Sequence, residues 1–277
     1  MRGSAAPARD FSRGLDADPS RGIEIPRYAM NPIEPDATPS APSPWGPWVT
    51  FGLLLAVVAA VVFAQAGVVL VILVAQLATD SAFDLEQLEK LATDGDILAV
   101  ATLASALAAL ALVAILVRTL PGFTLRNYLA LQPVKLRVVL FWVALTAVVV
   151  TAWDLLTAWL GRPIVPDFMA DAYGSSAFLP LLWLAVVVVA PLWEELVFRG
   201  FAYPGLRRSR FGAAAAILVP TLVWAGLHLQ YDLFGWSFVF LLGILLGLAR
   251  EKTGTVTVPL ILHVLVNLVA TIEVALL

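Results

Sequence analysis

Seven stretches of the chain are apolar around their whole circumference instead of along one stripe. They run approximately from Trp48 to Leu77, Ile97 to Val117, Val138 to Leu160, Phe178 to Phe198, Gly212 to Leu229, Phe234 to Ala249 and Val256 to Leu277. A helix needs about 20 mostly apolar residues to cross a hydrocarbon layer about 30 Å thick, and each stretch meets or approaches that length. No segment alternates apolar and polar residues over ten positions. Backbone groups in lipid must find partners within their own element, so the pattern predicts helices and not a barrel. The expected fold is all-α, a polytopic transmembrane helical bundle of about seven spans. Ahead of it, residues 1–47 hold nine of the 18 Pro and 11 of the 37 charged side chains with no apolar period, and are read as a disordered Pro-rich tail. An n-region that long is unlike a secretory leader, so the first span is expected to stay in the mature protein.

Composition sharpens this picture. Of 277 residues, 61% are hydrophobic and 13% charged, against about 25% charged in ordinary soluble domains. The bilayer is therefore the expected surroundings of the body of the chain. Seventeen basic and 20 acidic residues leave a net charge of −3, and no basic stripe exists to displace counterions from phosphates, so nucleic acid is not an expected partner. The absence of Cys removes disulfides, thiolate metal sites and Cys nucleophiles.

Basic residues in short connections orient a membrane protein. Arg118, Arg126, Lys135, Arg137, Arg199, Arg207, Arg208, Arg210, Arg250 and Lys252 fall on one side by parity, against Lys90 and Arg162 on the other. That second side also carries Asp80, Asp84, Glu86, Glu89, Asp94 and Asp96. The bias places the N-terminus and the basic loops in the cytoplasm.

Ionisable groups at membrane depth cost at least about 2.5 kcal/mol each on insertion scales, so each asks for a reason. Asp154 and Glu273 lie near helix ends, where water reaches them. The segment 191–200, reading PLWEELVFRG, is different. Glu195 and Arg199 are four apart with the acid first, the favourable order for an ion pair on one helical face. Glu194 is turned about 100° away from that face and left free for chemistry. Pro191 removes a backbone hydrogen bond one turn earlier and loosens the helix there. A structural Glu–Arg pair would account for this segment alone. The two His of the protein change the balance: His228 sits four residues after Trp224, and Asn267 four after His263, each pair on one helical face.

An acid pair, two imidazoles and an amide on three apolar helices are the parts of a hydrolytic site. Glu194 could remove a proton from water as general base, His228 could orient that water, and His263 and Asn267 could donate to a developing oxyanion. The alternative assembly makes Glu194, His228 and His263 ligands of a zinc ion whose fourth position holds the nucleophilic water. The spacing leaves both schemes open. No Ser, Thr or Cys nucleophile stands beside a His in a comparable motif.

The motifs Glu194-Glu195-x-x-x-Arg199-Gly200, Trp224-x-x-x-His228 and His263-x-x-x-Asn267, in that order, resemble the CPBP family of intramembrane proteases related to the eukaryotic CAAX prenyl protease 2. In bacteria such proteins are often of the abortive-infection type. The likeness runs approximately from Leu179 to Ile272. It implies that Glu194 is the catalytic base working with His228, that His263 and Asn267 form the oxyanion side, and that Glu195 and Arg199 support the site. The family's second motif commonly begins with Phe; here it begins with Trp224. Residues 178–277 are then the protease core of four helices, and 48–177 are accessory transmembrane helices. The expected activity is endopeptidase cleavage of a membrane-bound peptide or protein, in a cavity open to the cytoplasm of what is read as a bacterial cytoplasmic membrane. Rival readings are a proton-coupled transporter with Glu194, Arg199 and the two His as a relay, whose expected internal repeat is not apparent, and a catalytically idle scaffold or immunity protein.

One feature of the helix count raises a conflict. Along a straight helix His228 lies roughly 25 Å from Phe211, near the opposite surface from Glu194, which is roughly 9 Å from Gly200. Meeting across one water would need a re-entrant segment at 201–210 or a strong kink at Pro220. The orientation itself has a direct check: a reporter fused at residue 90 should register the non-cytoplasmic side.

Overall fold

A computed structural model of the chain describes residues 43–79, 91 and 93–277. These belong to one compact unit, Pro42–Leu277. The tail up to residue 42, and the acidic run Asp80, Asp84, Glu86 and Glu89 with Lys90, lie outside the described residues.

All seven apolar stretches are helical. Among the described residues the helices are α1 (Pro47–Thr79), α2 (Gly95–Arg118), the single turn α3 (Leu125–Tyr128), α4 (Leu136–Trp159), α5 (Asp167–Ser175), α6 (Leu179–Leu206), α7 (Ala213–Gly226), α8 (Leu233–Thr253) and α9 (Thr257–Ala275). Six are long and apolar enough to cross a membrane. The exception is α7, whose 14 residues fall short. No strand occurs among the described residues, and the protein is a helical membrane bundle.

Sequence explains where the helices start. Asp94 accepts hydrogen bonds from the N–H groups of Asp96 and Ile97, capping α2. Asp96 reaches across to α6, where it accepts from Ser176 Oγ at 2.8 Å and from the N–H groups of Ala177 and Phe178. Two acids expected in an exposed acidic connection are thus helix caps. Asp232 caps α8 through the Gly235 N–H and also meets Arg162. Gly254 ends α8 at φ +72°, a left-handed position that suits a residue without Cβ.

The main correction to the sequence reading concerns α6. It does not stop near Phe198 but continues to Leu206, because Phe201, Ala202, Tyr203 and Leu206 are apolar, buried and packed in the same core as Phe198. No re-entrant segment forms; residues 207–212 make the turn into α7. Arg250, expected in a basic loop, lies in the last turn of α8, is buried, and donates from Nε to the Arg199 carbonyl at 2.9 Å.

Outward faces of the first four spans are rich in bare apolar side chains such as Phe63, Val71, Phe141 and Leu155, as lipid contact requires. Inside, small residues allow close approach. A Cβ placed on Gly205 of α6 would lie 1.8 Å from Thr50 Oγ1 of α1, and Thr50 is fully buried. Gly205→Ala should therefore destabilise the protein by about 1 to 3 kcal/mol, the usual cost of overpacking a filled interior. Thermal unfolding in detergent should record that loss, and adding Thr50→Ala should recover part of it.

Candidate active site

The site is carried by α6, and α6 is not a uniform helix. Two stretches, Leu184–Val189 and Leu196–Phe201, are wound as π-helix, with the six α-helical residues Ala190–Glu195 between them. Such widened turns are rare and recur at functional sites. Proline gives the physical reason. Pro191 stands five residues after Val186 and Pro204 five after Arg199, the spacing of a π turn, and proline has no N–H to offer. Side chains from other helices meet both carbonyls. Asn267 of α9 donates from Nδ2 to Val186 O at 2.9 Å, and Arg250 of α8 donates to Arg199 O. The loosening expected at Pro191 is thus present, and an amide fills it.

Glu195 is fully buried, and its Oε1 accepts from Arg199 at 2.9 Å and from His263 Nδ1 at 2.9 Å. The i, i+4 ion pair read from the sequence is formed. Arg199 spends a further N–H on the Gly243 carbonyl of α8 at 3.1 Å and lies over the Trp224 ring. Among the described residues Glu195 Oε2 has no hydrogen-bond partner.

Glu194, one residue earlier, is also buried but faces another way. Its Oε2 accepts the indole N–H of Trp224 at 2.6 Å and lies 3.8 Å from His263 Nε2. Since a carboxylate only accepts, His263 donates through Nδ1 to Glu195 and turns Nε2 toward Glu194. The two rings meet edge to face, with Trp224 and His263 centroids 5.3 Å apart.

His228 lies just beyond the end of α7, half-buried. Its Nδ1 is 2.9 Å from the Trp224 carbonyl, which can only accept, so Nδ1 carries the proton and Nε2 is left available. The ring packs edge on against Trp224 and stacks on Tyr231. Burial, followed by the charge of Glu194, pushes the Tyr231 phenol up to about 12.

The structure thus gathers Glu194, Glu195, Arg199 and His263 into one bonded cluster. His228 joins it through Trp224, and Asn267 sits one turn along α9 against the π-wound backbone of α6. Among the described residues no three His, Asp or Glu side chains are arranged to hold a metal ion. Sequence reasoning missed Trp224 as a hydrogen-bond donor, Arg250 as a buried brace and Tyr231. For Trp224 a partial signal existed, since a buried indole N–H usually finds a partner, but which partner is not legible from a contact 30 residues apart in sequence.

Removing one member of a buried ion pair strands the other, which commonly costs about 3 to 5 kcal/mol. Arg199→Met should lower stability in that range and leave Glu195 without its principal cation. Chemical or thermal unfolding of the solubilised protein checks this, with Glu195→Gln as the matched partner variant.

Residues 176–269, which contain every residue of this cluster, match the family model described as type II CAAX prenyl endopeptidase Rce1-like. An Escherichia coli protein described as an uncharacterized 24.3 kDa protein is 32% identical over 122 residues, covering 42% of this chain and 55% of that protein. The chain thus spans little more than half the length of that relative. No solved structure matches. The family match and the motif resemblance fall on the same helices, α6 to α9.

Proposed function

We propose that the protein is an intramembrane endopeptidase that hydrolyses a peptide bond of a membrane-associated protein or peptide, with water activated by Glu194. The observation that carries this reading is a buried carboxylate pair with divided roles. Glu195 is occupied by Arg199 and His263, whereas Glu194 has one oxygen held by Trp224 and the other without a hydrogen-bond partner among the described residues.

In this mechanism the free oxygen of Glu194 takes a proton from a water, and His228 Nε2 orients that water from the mouth of the site. Attack on the scissile carbonyl produces an oxyanion. His263 can donate to it through Nε2 only as the doubly protonated ring, in which Nδ1 remains bonded to Glu195. Asn267 uses one amide N–H on Val186 and keeps a second for the oxyanion. Glu194 then returns the proton to the leaving amine. Glu195 and Arg199 hold the acid pair in register but do not touch the reacting atoms.

Residues 178–277 are the catalytic core and 48–177 the accessory helices in this reading, with the N-terminus and the opening of the site on the cytoplasmic side. The family description names prenyl endopeptidases, so a peptide carrying a lipid near its C-terminus is the first substrate class to try. Full-length protein reconstituted in vesicles should cleave members of a membrane-anchored peptide library. Glu194→Gln should lower turnover by about 10²-fold or more, a typical general-base contribution, while inserting and unfolding like the wild type. An active, folded Glu194→Gln protein would overturn the role of Glu194. A parallel arm with exhaustive chelation should leave activity intact.

A further inference from the structure

One contact in the site lies outside all three motif roles. Trp224 is 2% exposed and is among the largest fully enclosed side chains of the protein. Its indole N–H meets Glu194 Oε2 at 2.6 Å, a short distance for a donor to a carboxylate. The ring has little freedom to move. The Arg199 guanidinium lies over it at 4.8 Å, and the His263 and His228 rings pack edge to face against it at 5.3 and 4.9 Å. On α8, Gly243 makes room, since a Cβ there would come within 3.1 Å of Trp224 Cε3 and 2.6 Å of Thr221 Cγ2.

A glutamate needs such a restraint to act as a directed base. Its terminal torsion is broad and roughly two-fold, so an unheld carboxylate samples many planes. One fixed donor on one oxygen selects the plane and aims the other oxygen.

We propose that Trp224 is a positioning residue for hydrolysis: its indole N–H pins Glu194 Oε2, so that Oε1 is the oxygen that receives the proton of the attacking water. This rests on the peptidase reading above and refines it by assigning separate tasks to the two oxygens. Trp224 does not touch substrate. It acts through Glu194, and its carbonyl also fixes the tautomer of His228, so a single residue sets the direction of both groups that face the water.

Phe at this position keeps an aromatic ring and deletes the donor, together with the second ring of the indole. In vesicles, against the best-cleaved member of a membrane-anchored peptide library, Trp224→Phe should lose about tenfold or more in kcat with KM within about twofold of wild type, because misaiming a catalytic group costs rate and not ground-state binding. A folded Trp224→Phe protein with wild-type kcat, or one whose whole loss lies in KM, would overturn the assignment. A measurement that does not depend on turnover is the UV resonance Raman band of the indole N–H, compared between the wild type and a Glu194→Leu protein whose thermal transition in detergent shows it folded. The wild type minus Glu194→Leu difference should show one strongly bonded indole becoming free, and an unchanged band would remove the contact on which the proposal stands. The peptidase reading fails separately: a wild type that cleaves nothing sinks it together with this role. A wild type that requires Glu194 but ignores Trp224→Phe sinks this role alone.

Discussion

A carboxylate with no exposure to solvent can remain charged only if cations and donors replace its water, and in this protein that requirement falls on Glu195. One of its oxygens is shared by Arg199 from the same helix and His263 from α9. Because Arg199 also bonds the Gly243 carbonyl of α8, the need to neutralise one buried charge draws three helices together. Much else follows from that junction. Glu194, one residue earlier, must point about 100° away, toward the space between α7 and α9. His263, committed through Nδ1 to Glu195, necessarily turns Nε2 toward Glu194. The carboxylate that is fully engaged thus orients the one that keeps an oxygen without a hydrogen-bond partner among the described residues.

The same need for partners governs the backbone. A helix bearing Pro191 and Pro204 loses two donors within 14 residues, and in an apolar interior the corresponding carbonyls cannot turn to bulk water. The chain answers by widening into π turns and by sending Asn267 and Arg250 from neighbouring helices to the carbonyls of Val186 and Arg199. These long-range bonds tie α6 to α8 and α9 at the two ends of the Glu pair. A regular helix would satisfy itself internally and have no such call on its neighbours. The irregularity is therefore what couples the acid-bearing helix to the helices that carry the rest of the site.

Much of this was legible in the sequence because the bilayer imposes a plain code. All seven apolar helices were visible from composition alone, and the Glu195–Arg199 pair from i, i+4 spacing within an apolar run. Other features were hidden because they depend on contacts distant in sequence. Nothing near Arg250 distinguishes a buried brace from the loop cations around it, since its partner is 51 residues away. Asp96 looks like one more acid in an acidic connection until the start of α6, 80 residues on, is seen to direct the Ser176 hydroxyl and the N–H groups of Ala177 and Phe178 at it. Trp224 was read as a large aromatic standing where Phe is common, and its N–H gained meaning only when α7 was seen beside α6.

The conflict over the depth of His228 is resolved by the length of α6. Ending that helix near Gly200 put Glu194 close to the cytoplasmic surface, while counting from Phe211 put His228 near the opposite one. With α6 continuing to Leu206 and α7 beginning at Ala213, Glu194 is 12 residues from the turn and Trp224 is 11. At 1.5 Å per residue these are about 18 Å and about 17 Å, so two antiparallel helices joined by a short turn bring the indole level with the carboxylate. The 2.6 Å contact between them requires that match. Neither a kink at Pro220 nor a re-entrant segment is needed. His228 follows where α7 has already ended, its ring folded back onto Trp224. The shortness of α7, which keeps it from counting as a full span, is thus what ends the helix at the level of the acid, leaving the imidazole free of helical constraint beside it.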